Sequence, residues 1–406
     1  MYVQARFAPL LRHCAEVRFG PLAANIRGCK SKTGEKEEDV ENITRQLEEA
    51  ALGNSSATDQ DENWLTSPYP KGAFVGRERH QALKRDPAID PRETSIILFP
   101  GQGTQYVGMG RELLRFPSAR DVFEAANEVL GYDILKLCLE GPKEELNRTI
   151  HCQPAIFTCS LAAVERLHEE RPQAVESCVA TAGFSLGEIT ALTFAGALRF
   201  DRALKLVKVR AEAMQLASDA EDSGMMTVLY GPDSELNKAM ASAKEWSIAQ
   251  GIENPECCVA TYLFPHCKVI AGHSEALRYI ETNIRQFRLK ACKRLQVSGA
   301  FHTSLMRPAA EAFRAALRRT MVDDPAITVV SNVNGKRYLN GDHVKRQLPK
   351  QIYQAVHWEQ SLHALYERPV GDSFPRTFEC GPGDSLRQVL KKVNGKAWNT
   401  SWTVTI

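Results

Sequence analysis

Ser185 stands in Gly183-Phe184-Ser185-Leu186-Gly187, after an apolar run and before a helical pattern. Glycines two residues either side allow a strand to turn sharply into a helix, which exposes the serine hydroxyl as a nucleophile. Such a serine needs a base, an oxyanion site and a group that orients the base. Among ten histidines, His302 in Gly299-Ala300-Phe301-His302-Thr303 is the best base. It follows an expected strand and precedes an expected helix, at the sheet edge where active sites collect. Its imidazole is expected to titrate near neutrality. The loop Gly101-Gln102-Gly103-Thr104-Gln105 can aim backbone N–H groups at a ligand. It has neither the G-x-G-x-x-G nor the G-K-[ST] signature of nucleotide loops. Arg210 lies three residues after Val207 and four before Met214, along an apolar face that includes Leu204 and Ala211. A buried guanidinium there needs an anionic partner, either a ligand or an internal acid, unless the side chain snorkels to the surface. The cysteines and histidines show no metal-ligand spacing, so neither a metal nor a redox cofactor is expected.

The elements that must position these residues alternate between strand and helix. Ser95–Phe99 (SIILF) ends in Pro100-Gly101 and reads as a buried strand entering a tight loop. A helix is expected from Pro117 to Leu130, stopping at Gly131. Another should start at Pro154, a favoured first helical position. Residues 178–182 form a second apolar run, helices resume from Glu188 and from Asp201 as N-cap, and strands return at 327–333 and Arg376–Cys380. This alternation predicts a parallel sheet covered by helices. Residues 223–297 have a different rhythm. Strands at 225–230, 257–263, 267–271 and 292–297 bracket helices at 233–246 and around Leu277, Ile280, Ile284 and Phe287. The order βαββαβ predicts an inserted ferredoxin-like unit.

The chain has 406 residues, 43% hydrophobic and 25% charged, with a net charge of +2. That length buries a core without disulfides or structural metal. The charge balance gives no sign of a nucleic-acid partner. Eleven cysteines without a C-x-x-C pair read as reduced thiols rather than a secreted framework. No apolar run approaches the roughly 20 residues that span a bilayer. The two ends of the chain differ. Residues 1–34 hold six basic residues against one acid, Glu16, interspersed with Val3, Phe7, Leu10 and Leu11, as a mitochondrial targeting segment requires. Residues 35–63 hold ten acids against two bases, so the stretch 35–93 is expected to be an acidic, largely disordered linker. The catalytic core is then expected over 94–222 and 298–406, with the inserted subdomain at 223–297.

Five ordered motifs now carry a resemblance. FPGQGTQYVGMG (99–110), GFSLGE (183–188), VKVRAEAMQ (207–215), GAFHTSLM (299–306) and ECGPGDSL (379–386) resemble those of malonyl-CoA:acyl carrier protein transacylases, in particular the mitochondrial form of animals. The resemblance runs from about residue 95 to about 396. It implies an α/β-hydrolase-like core with a ferredoxin-like insertion, and transfer of a malonyl group from malonyl-CoA to the phosphopantetheine thiol of acyl carrier protein. It implies Ser185 as nucleophile, His302 as base, and the backbone N–H groups of Gln102 and Leu186 as oxyanion hole. Arg210 would hold the malonyl carboxylate, with Met214 and Phe301 in the acyl pocket. The main-chain carbonyl of Gln351 would orient His302. It implies the mitochondrial matrix as location. One residue departs from the pattern, since Phe184 stands where the family usually has histidine. Two rivals remain on sequence grounds, a serine hydrolase of thioesterase or lipase type and a non-catalytic carrier-protein-binding subunit.

Overall fold

Ile96, Ile97, Leu98 and Phe99 have no exposed surface, because the strand they form is the middle of a sheet. The computed structural model describes residues 89–369 and 371–406. The expected targeting segment 1–34, and the expected acidic linker up to residue 88, lie outside the described residues. The described strands in chain order are β1 (Ser95–Phe99), β2 (Cys178–Gly183), β3 (Ser223–Leu229), β4 (Cys257–Phe264), β5 (Cys267–His273), β6 (Ala291–Arg294), β7 (Thr328–Val330), β8 (Val356–His357), β9 (Arg376–Cys380) and β10 (Ser401–Val404). The fold is α/β. Its first sheet has the order β10-β9-β1-β2-β7, with every pair parallel. A parallel central strand is buried on both faces, so its sequence is continuously apolar rather than alternating. Phe99 pairs with Gly183, so β1 and β2 end level. The loop carrying Gln102 and the turn carrying Ser185 therefore leave the same sheet edge side by side.

The second sheet has the order β6-β3-β5-β4-β8. Its β3–β5, β3–β6 and β4–β5 pairs are antiparallel, and β8 joins β4 in parallel. The helices Leu236–Ala249 and Ser274–Thr282 pack on it through Leu236, Ala239, Leu277 and Ile280, against Met226 and Val228. Phe287 also joins this core, although it lies beyond the helix end at Thr282.

Helix Pro117–Leu130 has the expected bounds. Gly131 ends it with φ 79° and donates its N–H to the Asn127 carbonyl, as a left-handed C-cap does. Two expected starts are corrected. The helix thought to begin at Pro154 runs from Thr149 to Glu170, with Pro154 inside it. Its first turn is held from outside, since Gln215 Oε1 accepts the Thr149 N–H at 3.0 Å. The Pro154 carbonyl meanwhile accepts the Thr158 hydroxyl. Asp201 does not cap its helix; it sits within Phe200–Ala220, and its carboxylate faces Arg199 Nε at 3.4 Å. The strand expected at 292–297 ends at Arg294, after which the chain turns away towards His302. Helix Leu186–Phe194 is buried along its whole length against β1, β2 and β7. An element covered all round is rigid, which suits what it carries at its N-terminus.

Candidate active site

Ser185 has φ 52° and ψ −105°, a conformation L residues rarely adopt. Such a residue costs about 1–3 kcal/mol and persists only where its surroundings hold it. Asn332 supplies the hold: its Oδ1 accepts the Ser185 N–H at 2.7 Å, and its Nδ2 donates to the Gly183 carbonyl at 2.8 Å. The turn is too tight for a side chain at 183, where a Cβ would lie 1.8 Å from the Gly187 carbonyl. A Cβ on Gly101 would lie 2.5 Å from the Phe184 carbonyl oxygen, so the Gln102 loop rests directly on the elbow. Neither the Gln102 N–H nor the Leu186 N–H has a backbone acceptor among the described residues. Leu186 is the first residue of its helix, so no carbonyl one turn earlier takes its proton.

Arg210 is 1% exposed, and its guanidinium reaches the nucleophile. Nη2 donates to Ser185 Oγ at 3.0 Å and to Gln351 Oε1 at 2.9 Å; Nη1 donates to Gln153 Oε1 at 2.7 Å. All three acceptors are neutral. Burial lowers its pKa to about 10, with Glu188 pulling the other way, so it remains a cation at neutral pH. Gln153 ties in two further expected residues, donating to Gln102 Oε1 at 3.2 Å and to Met214 Sδ at 3.7 Å.

His302 Nδ1 lies 2.6 Å from the Gln351 main-chain oxygen. A carbonyl only accepts, so Nδ1 carries the proton and Nε2 keeps its lone pair. Burial, and then the Arg210 charge, push its pKa down to about 4, against the opposing pull of the Gln351 carbonyl. The expectation of titration near neutrality is therefore corrected, because a buried imidazole beside a cation resists protonation. Phe301 is buried immediately before His302, its N–H closing a turn onto the Gly299 carbonyl.

Four polar residues of this cluster escaped the sequence reading: Gln153, Glu188, Asn332 and Tyr338. Glu188 is fully buried, and its carboxylate accepts from Asn332 N at 2.9 Å, Tyr338 Oη at 2.7 Å and Gln351 Nε2 at 3.0 Å. Among the described residues, no group of three or more His, Cys, Asp or Glu side chains could hold a metal ion.

The acyl transferase domain family matches residues 96–368. A probable malonyl-CoA-acyl carrier protein transacylase, mitochondrial, of Drosophila melanogaster is 59% identical over 79% of this chain and 85% of its own length. The chain belongs to the malonyl-CoA-acyl carrier protein transacylase family. The mitochondrial transacylase of Homo sapiens is 51% identical over 78% of this chain and 81% of its own. The solved transacylase of Xanthomonas oryzae pv. oryzae superposes with a TM-score of 0.69 at 30% identity, over 77% of this chain and 95% of that one.

Phe184 is the residue that the resemblance set apart from the expected histidine. Its ring meets the buried Trp358 edge-on, with centroids 5.5 Å apart and an interplanar angle of 77°. Phe184 thus packs the wall behind the nucleophile without offering a proton. Phe184→His is expected to keep malonyl transfer within about tenfold of the parent, under about 1.4 kcal/mol. A larger change in kcat/KM, in either direction, would give this side chain a part in the chemistry.

Proposed function

We propose that the site carries malonyl transfer from malonyl-CoA to the phosphopantetheine thiol of acyl carrier protein, through a malonyl ester on Ser185. The observation that carries this reading is a buried guanidinium, 3.0 Å from the nucleophile, whose hydrogen-bond acceptors are all neutral. No carboxylate is hydrogen-bonded to it among the described residues, and the nearest buried acid, Glu188, reaches it through the Gln351 amide. A carboxylate entering on the acyl group would take two parallel hydrogen bonds from it. His302 Nε2 takes the Ser185 proton as Oγ attacks the thioester carbonyl. The tetrahedral oxyanion sits on the Gln102 and Leu186 N–H groups, each worth about 3–4 kcal/mol in comparable sites. His302 then returns the proton to the departing CoA thiolate. The carrier's thiol repeats the sequence on the ester, giving its proton to His302 and leaving Ser185 free. The chemistry draws on no metal or redox cofactor. Met214 and Phe301 form the acyl pocket. The Gln351 main-chain carbonyl replaces the acid of a hydrolase triad, which argues against the hydrolase rival.

The division of the chain follows the same reading. The all-parallel sheet with its elbow serine supports an α/β-hydrolase-like core over 94–222 and 298–406. The strand order β6-β3-β5-β4, with its two helices, supports a ferredoxin-like subdomain at 223–297. The basic segment 1–34 serves as the mitochondrial targeting signal, followed by the acidic linker 35–93. The protein works in the mitochondrial matrix, supplying mitochondrial fatty acid synthesis.

Arg210→Ala tests the reading. Truncating one partner of a buried charged pair costs about 2–5 kcal/mol, so malonyl transfer should fall about 30-fold or more. Acetyl-CoA lacks the carboxylate, and its transfer should hold or improve. The measurement is kcat/KM for both thioesters at one carrier-protein concentration. Equal losses would make Arg210 a structural residue and remove the basis for malonyl selection.

A further inference from the structure

We propose that Glu188 is a positioning residue for substrate selection: its carboxylate sets the orientation of the Gln351 amide and thereby the placement of Arg210. The inference rests on the reading of Arg210 as the carboxylate-binding group. The argument is one of donors and acceptors. Glu188 lies three residues after the nucleophile, fully buried, and among the described residues no lysine or arginine side chain is hydrogen-bonded to it. Three donors are hydrogen-bonded to it, and Ser331 adds a further pull. Asn332 N and Tyr338 Oη share Oε1, while Gln351 Nε2 takes Oε2.

A primary amide has two ends of similar shape, and only its neighbours decide which way it faces. An ionised carboxylate only accepts, so the Gln351 NH₂ must turn towards Glu188. That leaves Gln351 Oε1 facing Arg210 Nη2 at 2.9 Å. Reversed, the amide would set its NH₂ against the guanidinium, two donors face to face. Gln351 also donates from Nε2 to the Ser185 carbonyl, and its own main-chain oxygen holds His302. One residue thus couples the carboxylate clamp to the base, and Glu188 fixes how it faces together with the Ser185 carbonyl.

Among the described residues, the titratable and charged groups that act on Glu188 are Arg210 from the helix Phe200–Ala220 and Tyr338 from the segment after β7. Burial raises the Glu188 pKa to about 7, against the pull of Tyr338, Asn332, Gln351 and Ser331. The carboxylate is therefore lost as pH falls through about 7. His302, at about 4, does not change charge there.

The experiment compares kcat/KM for malonyl-CoA and acetyl-CoA in the full chain, the Glu188→Gln variant and the Tyr338→Phe variant, from about pH 8 to about pH 6. Taking the ratio of the two substrates cancels His302 and the carrier thiol, which both reactions share. In the parent, the malonyl-to-acetyl ratio should fall up to about tenfold over that range, as the carboxylate is lost. In Glu188→Gln, a second amide must meet at least one donor with a donor. Its ratio should already be about tenfold lower at pH 8, and flat with pH. Tyr338→Phe keeps the carboxylate but removes a hydrogen bond to its charged form, so the midpoint of the fall should move to higher pH. If Glu188→Gln folds and keeps the parent's ratio and pH dependence, the proposal is overturned. If Glu188→Gln does not fold, an unmoved midpoint in Tyr338→Phe overturns it. A parent that forms no malonyl-enzyme overturns the functional reading itself, and the selection role with it.

Discussion

Ser185→Ala is expected to fold as the parent does and to form no malonyl-enzyme, with transfer reduced on the order of 10⁶-fold, as for other acyl-serine enzymes. The fold should survive because the elbow is held through main-chain groups. Asn332 bonds the N–H of residue 185 and the carbonyl of 183, and neither bond needs the hydroxyl. Alanine at φ 52° is no more strained than serine. Arg210 would lose one of three acceptors, but it keeps Gln153 and Gln351. Intact mass after exposure to malonyl-CoA is the direct check. A malonylated Ser185→Ala protein would move the nucleophile elsewhere.

His302→Ala should slow both half-reactions by about 10²–10⁴-fold, the usual range for a general acid–base. The tautomer gives the reason, since Nδ1–H is committed to the Gln351 carbonyl and only Nε2 can take a proton. The lowered pKa fixes the sign of the pH dependence. The base form is present above about 4 and is lost as pH falls through that value. Acylation by a neutral thioester should therefore be level between about pH 8 and about pH 6 and fall only in stronger acid. Stopped-flow acylation with acetyl-CoA reads this limb. A wild-type acylation rate in His302→Ala would require another base.

The chemistry was legible where it lay in short local patterns. Ser185 is marked by glycines two residues away, and Arg210 by its spacing from Val207 and Met214. The side-chain contacts of Asn332 and Gln351 that hold the site were not, because they join distant segments. Asn332 reaches the elbow from 147 residues away and Gln351 reaches Glu188 from 163. Nothing in the periodicity of either stretch encodes such a meeting. Gln153 was hidden for a related reason. Pro154 reads as a helix start, yet tertiary contacts hold one more turn ahead of it, and Gln153 sits on that turn. The parallel strands β1 and β2 announce themselves as apolar runs. Strand β8 has two residues and β10 has four, too short for a pattern to rise above chance. Asp201 shows the limit of capping rules: the helix starts at Phe200, one residue ahead of it, so its carboxylate lies inside the first turn rather than before it.

The most direct test of the account is where the malonyl group rests between donor and acceptor. The full chain would be mixed with malonyl-CoA in the absence of carrier protein, quenched in acid, digested and weighed peptide by peptide. The account predicts one malonyl group on the peptide carrying Ser185, discharged when acyl carrier protein is added before the quench. Carrier protein that becomes malonylated while Ser185 stays bare, or a malonyl group on any other residue, would contradict it.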